Sequence, residues 1–137
     1  MRVDEIDVPE NLYYSKEHQW LSVDGEQCRV GLTDYAQKQL HGIVFIDLPE
    51  AGGGVTAGQV MGSVESVKAV SDIFSPVTGE VLEVNKNVQE TPGIINRSPY
   101  QDGWLVTVKA SNLNEELKSL LSVEDYCSHI KTLLKAK

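Results

Sequence analysis

A single lysine, Lys68, lies between two short apolar runs near the middle of the chain. The first run covers residues 58–64 and the second covers residues 73–84. Apolar runs broken by small and turn-forming residues are typical of half-buried strands in a small β-domain. The pattern predicts a hairpin over about residues 60–75 with Lys68 at its tip. The tip contains neither Gly nor Asn, so a type I turn is favoured over the primed turns.

An exposed lysine at this position is suited to modification rather than to nucleophilic attack of its own. A lysine amine is mostly protonated at neutral pH and reacts only in a dry pocket or beside another cation. The nearest charged residues, Glu65 and Asp72, are both acidic, so the segment supplies no such cation. A modifying enzyme would bring the activating environment itself. On the local pattern alone, an ordinary surface lysine is the favoured interpretation.

Composition and charge restrict the class of protein. The chain has 137 residues, of which 41% are apolar and 23% charged, and we expect a single globular domain over residues 1–137. The net charge of −8 disfavours nucleic acid as a partner. The sequence has no apolar run long enough to cross a bilayer, and its first residues are acidic where a signal peptide is basic. We expect a cytoplasmic bacterial protein, or a mitochondrial matrix protein whose transit peptide has been removed.

Metal-binding spacing is absent from the sequence. The two cysteines and three histidines are scattered, with no Cys-x-x-Cys or His-x-x-x-His pair. We therefore predict no metal site and no disulfide framework. These residues are Cys28, Cys127, His18, His41 and His129.

The elements that surround the lysine hairpin are also predicted by local signals. Asp24-Gly25 between alternating runs indicates a first hairpin, with residues 20–23 in one strand and residues 26–32 in the other. Thr33 is placed to cap a short helix over residues 34–40. The inner face of the second strand would carry Cys28, Val30 and Leu32.

The end of the chain changes from strand to helix periodicity. Trp104, Val106 and Val108 are predicted to share one face of a strand. Ser111 and Ser122 each precede a helical pattern, so C-terminal helices are expected over about residues 111–135. Their apolar side should pack on the sheet. It consists of Val123, Tyr126, Ile130, Leu133 and Leu134.

Residues 65–81, beginning Glu65-Ser-Val-Lys68-Ala, resemble the lipoyl-lysine segment of the H protein of the glycine cleavage system. Four further segments resemble H-protein signatures in the same order along the chain. The resemblance implies a mainly β fold: a flattened barrel-sandwich hybrid of the lipoyl/biotinyl type, with a short helix after the first hairpin and C-terminal helices packed on the sheet. The four segments are residues 14–20, 30–37, 43–49 and 92–105.

The same resemblance implies a function. Lipoate would be joined to Lys68 by a lipoate-attaching enzyme, and the arm would carry the aminomethyl group of glycine. It would visit the glycine decarboxylase (P protein), the aminomethyltransferase (T protein) and the dihydrolipoamide dehydrogenase (L protein). The chain would be a carrier without catalytic residues. Glu17 and Asp72 would line a cleft for the loaded arm, and Glu65 is a further candidate contact of the arm or the attaching enzyme.

Two departures from the family pattern concern partner surfaces. Gln19 stands where the family usually has an acidic residue, and His41-Gly42 stands where it commonly has Gly-Asp or Gly-Glu. An H-like protein that relays lipoyl groups to other enzymes is therefore one alternative. A lipoyl or biotinyl carrier domain of another complex is a second. Biotin carriers usually flank the lysine with methionines, where this chain has Val67 and Ala69.

Overall fold

Strands dominate the computed structural model, which describes residues 1–136. The strands are β1 (Arg2–Val3), β2 (Ile6–Asp7), β3 (Tyr13–Tyr14), β4 (Gln19–Asp24), β5 (Gln27–Leu32), β6 (Ile43–Asp47), β7 (Gly54–Val55), β8 (Val60–Ser66), β9 (Val70–Phe74), β10 (Gly79–Val84) and β11 (Val106–Ala110). The helices are α1 (Asp34–Leu40), α2 (Lys86–Glu90), α3 (Ile94–Arg97), α4 (Leu113–Leu117) and α5 (Val123–Lys135).

Two antiparallel sheets form the body of the protein. One has six strands in the order β3-β4-β5-β11-β10-β7, and the other has three strands in the order β6-β8-β9. A separate pair, β1 and β2, lies at the N-terminus. The apolar faces of the two large sheets contribute to one buried cluster, so the sheets pack against each other as a sandwich. The mainly β fold predicted from the sequence is confirmed.

The first hairpin has its turn one residue later than the sequence indicated. Asp24 pairs with Gln27, which leaves Gly25 and Glu26 as the two turn residues. Gly25 has a φ of 65°, a conformation that glycine adopts without steric cost. The predicted inner face of β5 is confirmed, because three alternating residues are at most 2% exposed. They are Cys28, Val30 and Leu32.

Helix α1 follows this hairpin directly, over the predicted residues. The side chain of Thr33 caps it by accepting a hydrogen bond from the Ala36 N–H at 3.2 Å. The helix ends at His41, whose φ of 64° lies in the left-handed region. The short connection from His41 leads straight into β6, which pairs with the lysine-bearing β8.

The second apolar run, residues 73–84, is divided between the two sheets. β9 ends at Phe74 in the three-stranded sheet, and β10 begins at Gly79 in the six-stranded sheet. Pro76 lacks an N–H for a sheet ladder, and the Ser75 hydroxyl instead donates to the Val77 carbonyl at 2.6 Å. The crossover coincides with the turn-forming segment Ser75 to Gly79, which interrupts the apolar run.

The C-terminal region matches the prediction only in part. Trp104 lies before β11 and packs against the second buried cluster, so its expected place beside Val106 and Val108 was wrong. Helix α4 begins after Asn112 rather than Ser111.

Helix α5 is capped as predicted by Ser122, whose hydroxyl accepts from the Asp125 N–H at 3.2 Å. Its apolar side packs into the second cluster with residues from β1 and from the edge of the six-stranded sheet, Tyr14 and Trp20 among them. The C-terminal helix therefore packs on the sheet as the fold prediction required.

Candidate functional site

Lys68 is the middle one of the three residues, 67–69, that join β8 to β9. The turn is closed by the Ser66 N–H, which donates to the Ala69 carbonyl at 2.8 Å. Lys68 is exposed, and neither it nor Val67 has a positive φ. Both primed turn types require a positive φ at the first central residue, so the structure excludes them here.

Ser66 holds the backbone of this turn with its side chain. Its Oγ accepts hydrogen bonds from the Lys68 N–H at 3.1 Å and the Ala69 N–H at 3.0 Å, and it donates to the Ala69 carbonyl at 3.2 Å. Ser66 is 7% exposed, so the hydroxyl is protected from competing water. The sequence reasoning did not single it out, although a serine two residues before a turn position is a known turn-forming signal.

The strand after Lys68 presents Val70, Asp72 and Phe74 on one face, since alternate residues of a strand point to the same side. Ile73 points to the opposite side and is fully buried. Glu65 lies directly opposite Val70 in the register of β8 and β9. The structure therefore brings Glu65 and Asp72 to the same exposed face of the three-stranded sheet.

Exposed apolar side chains surround the lysine turn. Val67 is 74% exposed and Val70 is 66% exposed. Phe45, which lies opposite Glu65 in β6, is 55% exposed. These side chains leave the turn open and give it an apolar surround that a partner protein could contact.

A cleft of about 370 Å³ opens beyond the far end of β9. Its lining includes Glu17 from the loop before β4, Gln19 at the start of β4, Phe74 from β9 and Glu116 from α4. Phe74 follows Lys68 by six positions, which corresponds to about 20 Å of extended chain. We name this space the Glu17 cleft. Asp72 lies on the strand face that leads to it rather than in its lining.

The two carboxylates of the Glu17 cleft differ in how they are held. Glu17 is exposed and forms no ion pair among the described residues. Glu116 accepts hydrogen bonds from the Thr78 N–H at 2.8 Å and the Thr78 hydroxyl at 2.5 Å. Glu17 is therefore the carboxylate that is free to bind a cation.

Gln19 places a neutral amide, fixed by its own hydrogen bonds, beside the Glu17 cleft. Its Oε1 accepts from the Ser15 hydroxyl at 2.6 Å, and its Nε2 donates to the Glu17 carbonyl at 3.1 Å. Gln19 is 1% exposed, so its side chain hydrogen-bonds to the loop and not to solvent. Gln19 therefore helps to shape the loop and adds no charge to the cleft.

His18, between these two cleft residues, ties the loop to the C-terminal helix. Its Nδ1 lies 2.8 Å from the Tyr126 hydroxyl, which in turn lies 2.7 Å from the Thr33 hydroxyl. Burial lowers the pKa of His18 to about 4, and the nearby His129 adds to the effect. The chain of hydrogen bonds is satisfied when His18 is neutral and its Nδ1 accepts from Tyr126.

The largest of the other cavities lies away from this site. A larger groove of about 590 Å³ is lined by residues such as Leu48, Val84 and Trp104 and includes none of the predicted site residues. Among residues 1–136, no group of His, Cys, Asp or Glu side chains is placed to hold a metal ion. In the same part of the chain, no helix combines the length and apolar character needed to span a membrane.

Comparison with known proteins identifies the family. A family model described as the glycine cleavage H-protein matches residues 12–133. The chain belongs to this family. Its membership confirms the resemblance noted in the sequence and the predicted role in the glycine cleavage system.

Similar H proteins come from plants, bacteria and archaea. The mitochondrial glycine cleavage system H protein of Flaveria pubescens is 51% identical over 119 residues, which cover 87% of this chain and 78% of the relative. The H protein of Geobacillus kaustophilus is 47% identical over 121 residues, or 88% of this chain and 94% of the relative. A probable H protein of Thermococcus gammatolerans is 45% identical over 134 residues, or 97% and 99%.

A solved structure has the same fold. The crystal structure of a glycine cleavage system H protein from Mycobacterium marinum superposes with a TM-score of 0.83 at 35% identity. The match covers 90% of this chain and 99% of that chain. The two proteins therefore share the same overall fold.

Proposed function

We propose that the chain is the lipoyl carrier of the glycine cleavage system and that lipoate is joined to the Nζ of Lys68 by an amide. The position of Lys68 carries this proposal. The residue is exposed in a tight turn and forms no ion pair among residues 1–136. Its neighbours Val67 and Val70 are small and open to solvent, so an attaching enzyme can reach the amine. The residues around Lys68 are therefore compatible with the attachment of lipoate.

The chain presents the lipoyl arm to its partner enzymes and protects the cargo of the arm, and it does not catalyse the reactions itself. Bound lipoate supplies a dithiolane that takes up the aminomethyl group of glycine. The reactions belong to the P, T and L proteins, and a separate lipoate-attaching enzyme installs the group. An exposed turn serves all four enzymes because each must reach the same arm in its own active site.

The face of β9 offers a path from Lys68 to the Glu17 cleft. Val70, Asp72 and Phe74 follow one another along that face, and Phe74 forms part of the cleft. We propose that the loaded arm lies along this path. Glu17 then binds the ammonium group of the cargo, because a charged hydrogen bond is stronger than a neutral one. Asp72 holds the arm midway, and the apolar surface of Phe74 excludes water.

Glu65 has a different role in this proposal. It lies beside Val70 at the lysine end of the sheet, away from the Glu17 cleft. A carboxylate at that position is placed to bind a basic side chain of the lipoate-attaching enzyme. The proposal treats residues 1–137 as one lipoyl-carrier domain. It acts wherever the partner enzymes occur, which is the bacterial cytoplasm or the mitochondrial matrix.

A Lys68→Arg variant tests the proposal. With the P, T and L proteins, a lipoate-attaching enzyme and lipoate supplied, the wild-type chain should support glycine cleavage and the variant should not. Lys86→Arg is the matched control, because Lys86 is also exposed but lies on α2.

Two results would count against the assignment. Cleavage supported by the Lys68→Arg variant would refute the carrier role of Lys68. A wild-type chain that is lipoylated but supports no cleavage would favour the alternative of an H-like protein that relays lipoyl groups to other enzymes.

A further inference from the structure

The lysine turn is bound to a segment outside its own hairpin. The Val67 N–H donates to the Gly42 carbonyl at 3.0 Å. Gly42 belongs to the short connection between α1 and β6. The residue just before Lys68 therefore takes its position from this connection as well as from the hairpin.

Asn96, on α3, holds the connection at two points. Its Oδ1 accepts from the Ile43 N–H at 2.9 Å, and its Nδ2 donates to the His41 carbonyl at 2.8 Å. The same Nδ2 donates to the Gln37 Oε1 at 3.0 Å. Asn96 therefore hydrogen-bonds to the backbone of the residues on either side of Gly42.

Gln37, the third partner of the Asn96 side chain, is itself held in place by the body of the protein. Gln37 is 8% exposed, and its Nε2 donates to the Asp34 Oδ1 at 2.7 Å. Asp34 is also buried, and it pairs with Lys38 at 3.1 Å. Because these side chains are fixed by several partners, Asn96 connects the turn to the body of the protein rather than to another mobile group.

The backbone of the connection needs such support. His41 combines a φ of 64° with a ψ of −148°, a region that is almost restricted to glycine. A non-glycine residue remains there only when its surroundings hold it. The bonds from Asn96 to the His41 carbonyl and the Ile43 N–H supply that constraint. Loss of them would release the connection and, with it, the Gly42 carbonyl that Val67 requires.

We propose that Asn96 is a positioning residue for modification of Lys68. Acting through the connection at residues 41–43, it fixes the turn so that the lysine amine is presented in one geometry to the lipoate-attaching enzyme. The inference rests on the proposed function of Lys68. A small misplacement of a reacting group can cost a large factor in rate, so a residue this far along the chain can control attachment without touching the amine.

Asn85 provides a matched control for the test. Its Nδ2 donates to the Asp102 and Trp104 carbonyls, at 2.9 and 2.6 Å, and its Oδ1 accepts from the Asn87 N–H at 3.1 Å. It therefore makes three hydrogen bonds, as Asn96 does, and it is 4% exposed. None of its bonds involves residues 41–43 or the lysine turn.

The experiment compares lipoate attachment to wild-type chain, Asn96→Ala and Asn85→Ala, well below the unfolding temperature of each. We expect kcat/KM for Asn96→Ala to fall about tenfold, mainly in kcat, since the surface that docks the enzyme is unchanged. Asn85→Ala should remain close to wild type. Equal rates for wild type and Asn96→Ala would overturn the inference. An equal fall in both variants would show general loosening and would overturn it as well.

Amide hydrogen exchange supplies a readout that does not depend on lipoylation. The Val67 amide should exchange faster in Asn96→Ala and at the wild-type rate in Asn85→Ala. Unchanged exchange at Val67 would refute the connection between Asn96 and the turn. A wild-type chain that accepts no lipoate would instead refute the proposed function, and the exchange result would still decide whether Asn96 holds the turn.

Discussion

The half-buried, neutral His18 should make the protein less stable as the pH falls from neutral toward 4. The groups that face it are the Tyr126 hydroxyl on Nδ1 at 2.8 Å, the Tyr35 ring at 4.5 Å and the His129 ring at 5.7 Å between centroids. Burial is the main reason that its pKa is lowered to about 4, and His129 contributes further. Protonation would remove the acceptor that Tyr126 uses and place a charge in this cluster.

The sign and size of the effect follow from linkage. In the unfolded chain His18 binds its proton near pH 6.5, whereas in the folded protein it binds only near pH 4. Between these values the unfolded state holds more protons, so the free energy of unfolding falls as the pH falls. A shift of this size corresponds to about 3 kcal/mol between neutral pH and pH 4. Stability from this source is fully present above the unfolded pKa.

Urea denaturation at a series of pH values measures the effect. His18→Asn removes the titrating ring, and asparagine tolerates the φ of 73° at this position. The acidic residues remain in both proteins, so the difference between their pH slopes isolates His18. We expect wild type to lose up to about 3 kcal/mol more than the variant between neutral pH and pH 4. Parallel curves for the two proteins would refute the reasoning.

Two substitutions that introduce or remove a glycine should change the free energy of unfolding in opposite directions. His41→Gly should raise it by about 1 kcal/mol, because the strain relieved at this positive φ is larger than the conformational entropy that glycine adds to the unfolded chain. A lower urea midpoint for the variant would contradict this. Gly31→Ala should lower it by about 1 to 3 kcal/mol, because the added Cβ would overlap the ring of Trp20, which is 2% exposed. A melting temperature equal to that of wild type would show that Trp20 can move aside.

Local signals in the sequence predicted those parts of the fold that local chemistry determines. Thr33 capped the expected helix, and the small and charged residues around Lys68 formed the expected hairpin. The first turn was displaced by one residue because Asp24 still pairs in the ladder. Residues 73–84 form parts of two strands rather than one run, and Ser75, Pro76 and Gly79 mark the place where the chain passes from one sheet to the other.

Most parts of the candidate site that sequence reasoning missed depend on distant contacts. Asn96 meets the connection at residues 41–43 across more than fifty positions, and no spacing rule relates the two. Ser66 lay within the recognised motif, but its importance became clear only from its three hydrogen bonds. The position of Asp72 outside the Glu17 cleft depends on where β9 ends. Tertiary packing decides the cases of Asn96 and Asp72, whereas Ser66 acts through local bonds to Lys68 and Ala69.

The covalent role of Lys68 is tested most directly by mass spectrometry of the intact chain and of its peptides after incubation with lipoate, ATP and a lipoate ligase. The account predicts one lipoyl increment per chain, confined to the peptide that contains Lys68, and no increment on the Lys68→Arg variant. An increment on a different lysine, or none on the folded wild-type chain, would contradict the account.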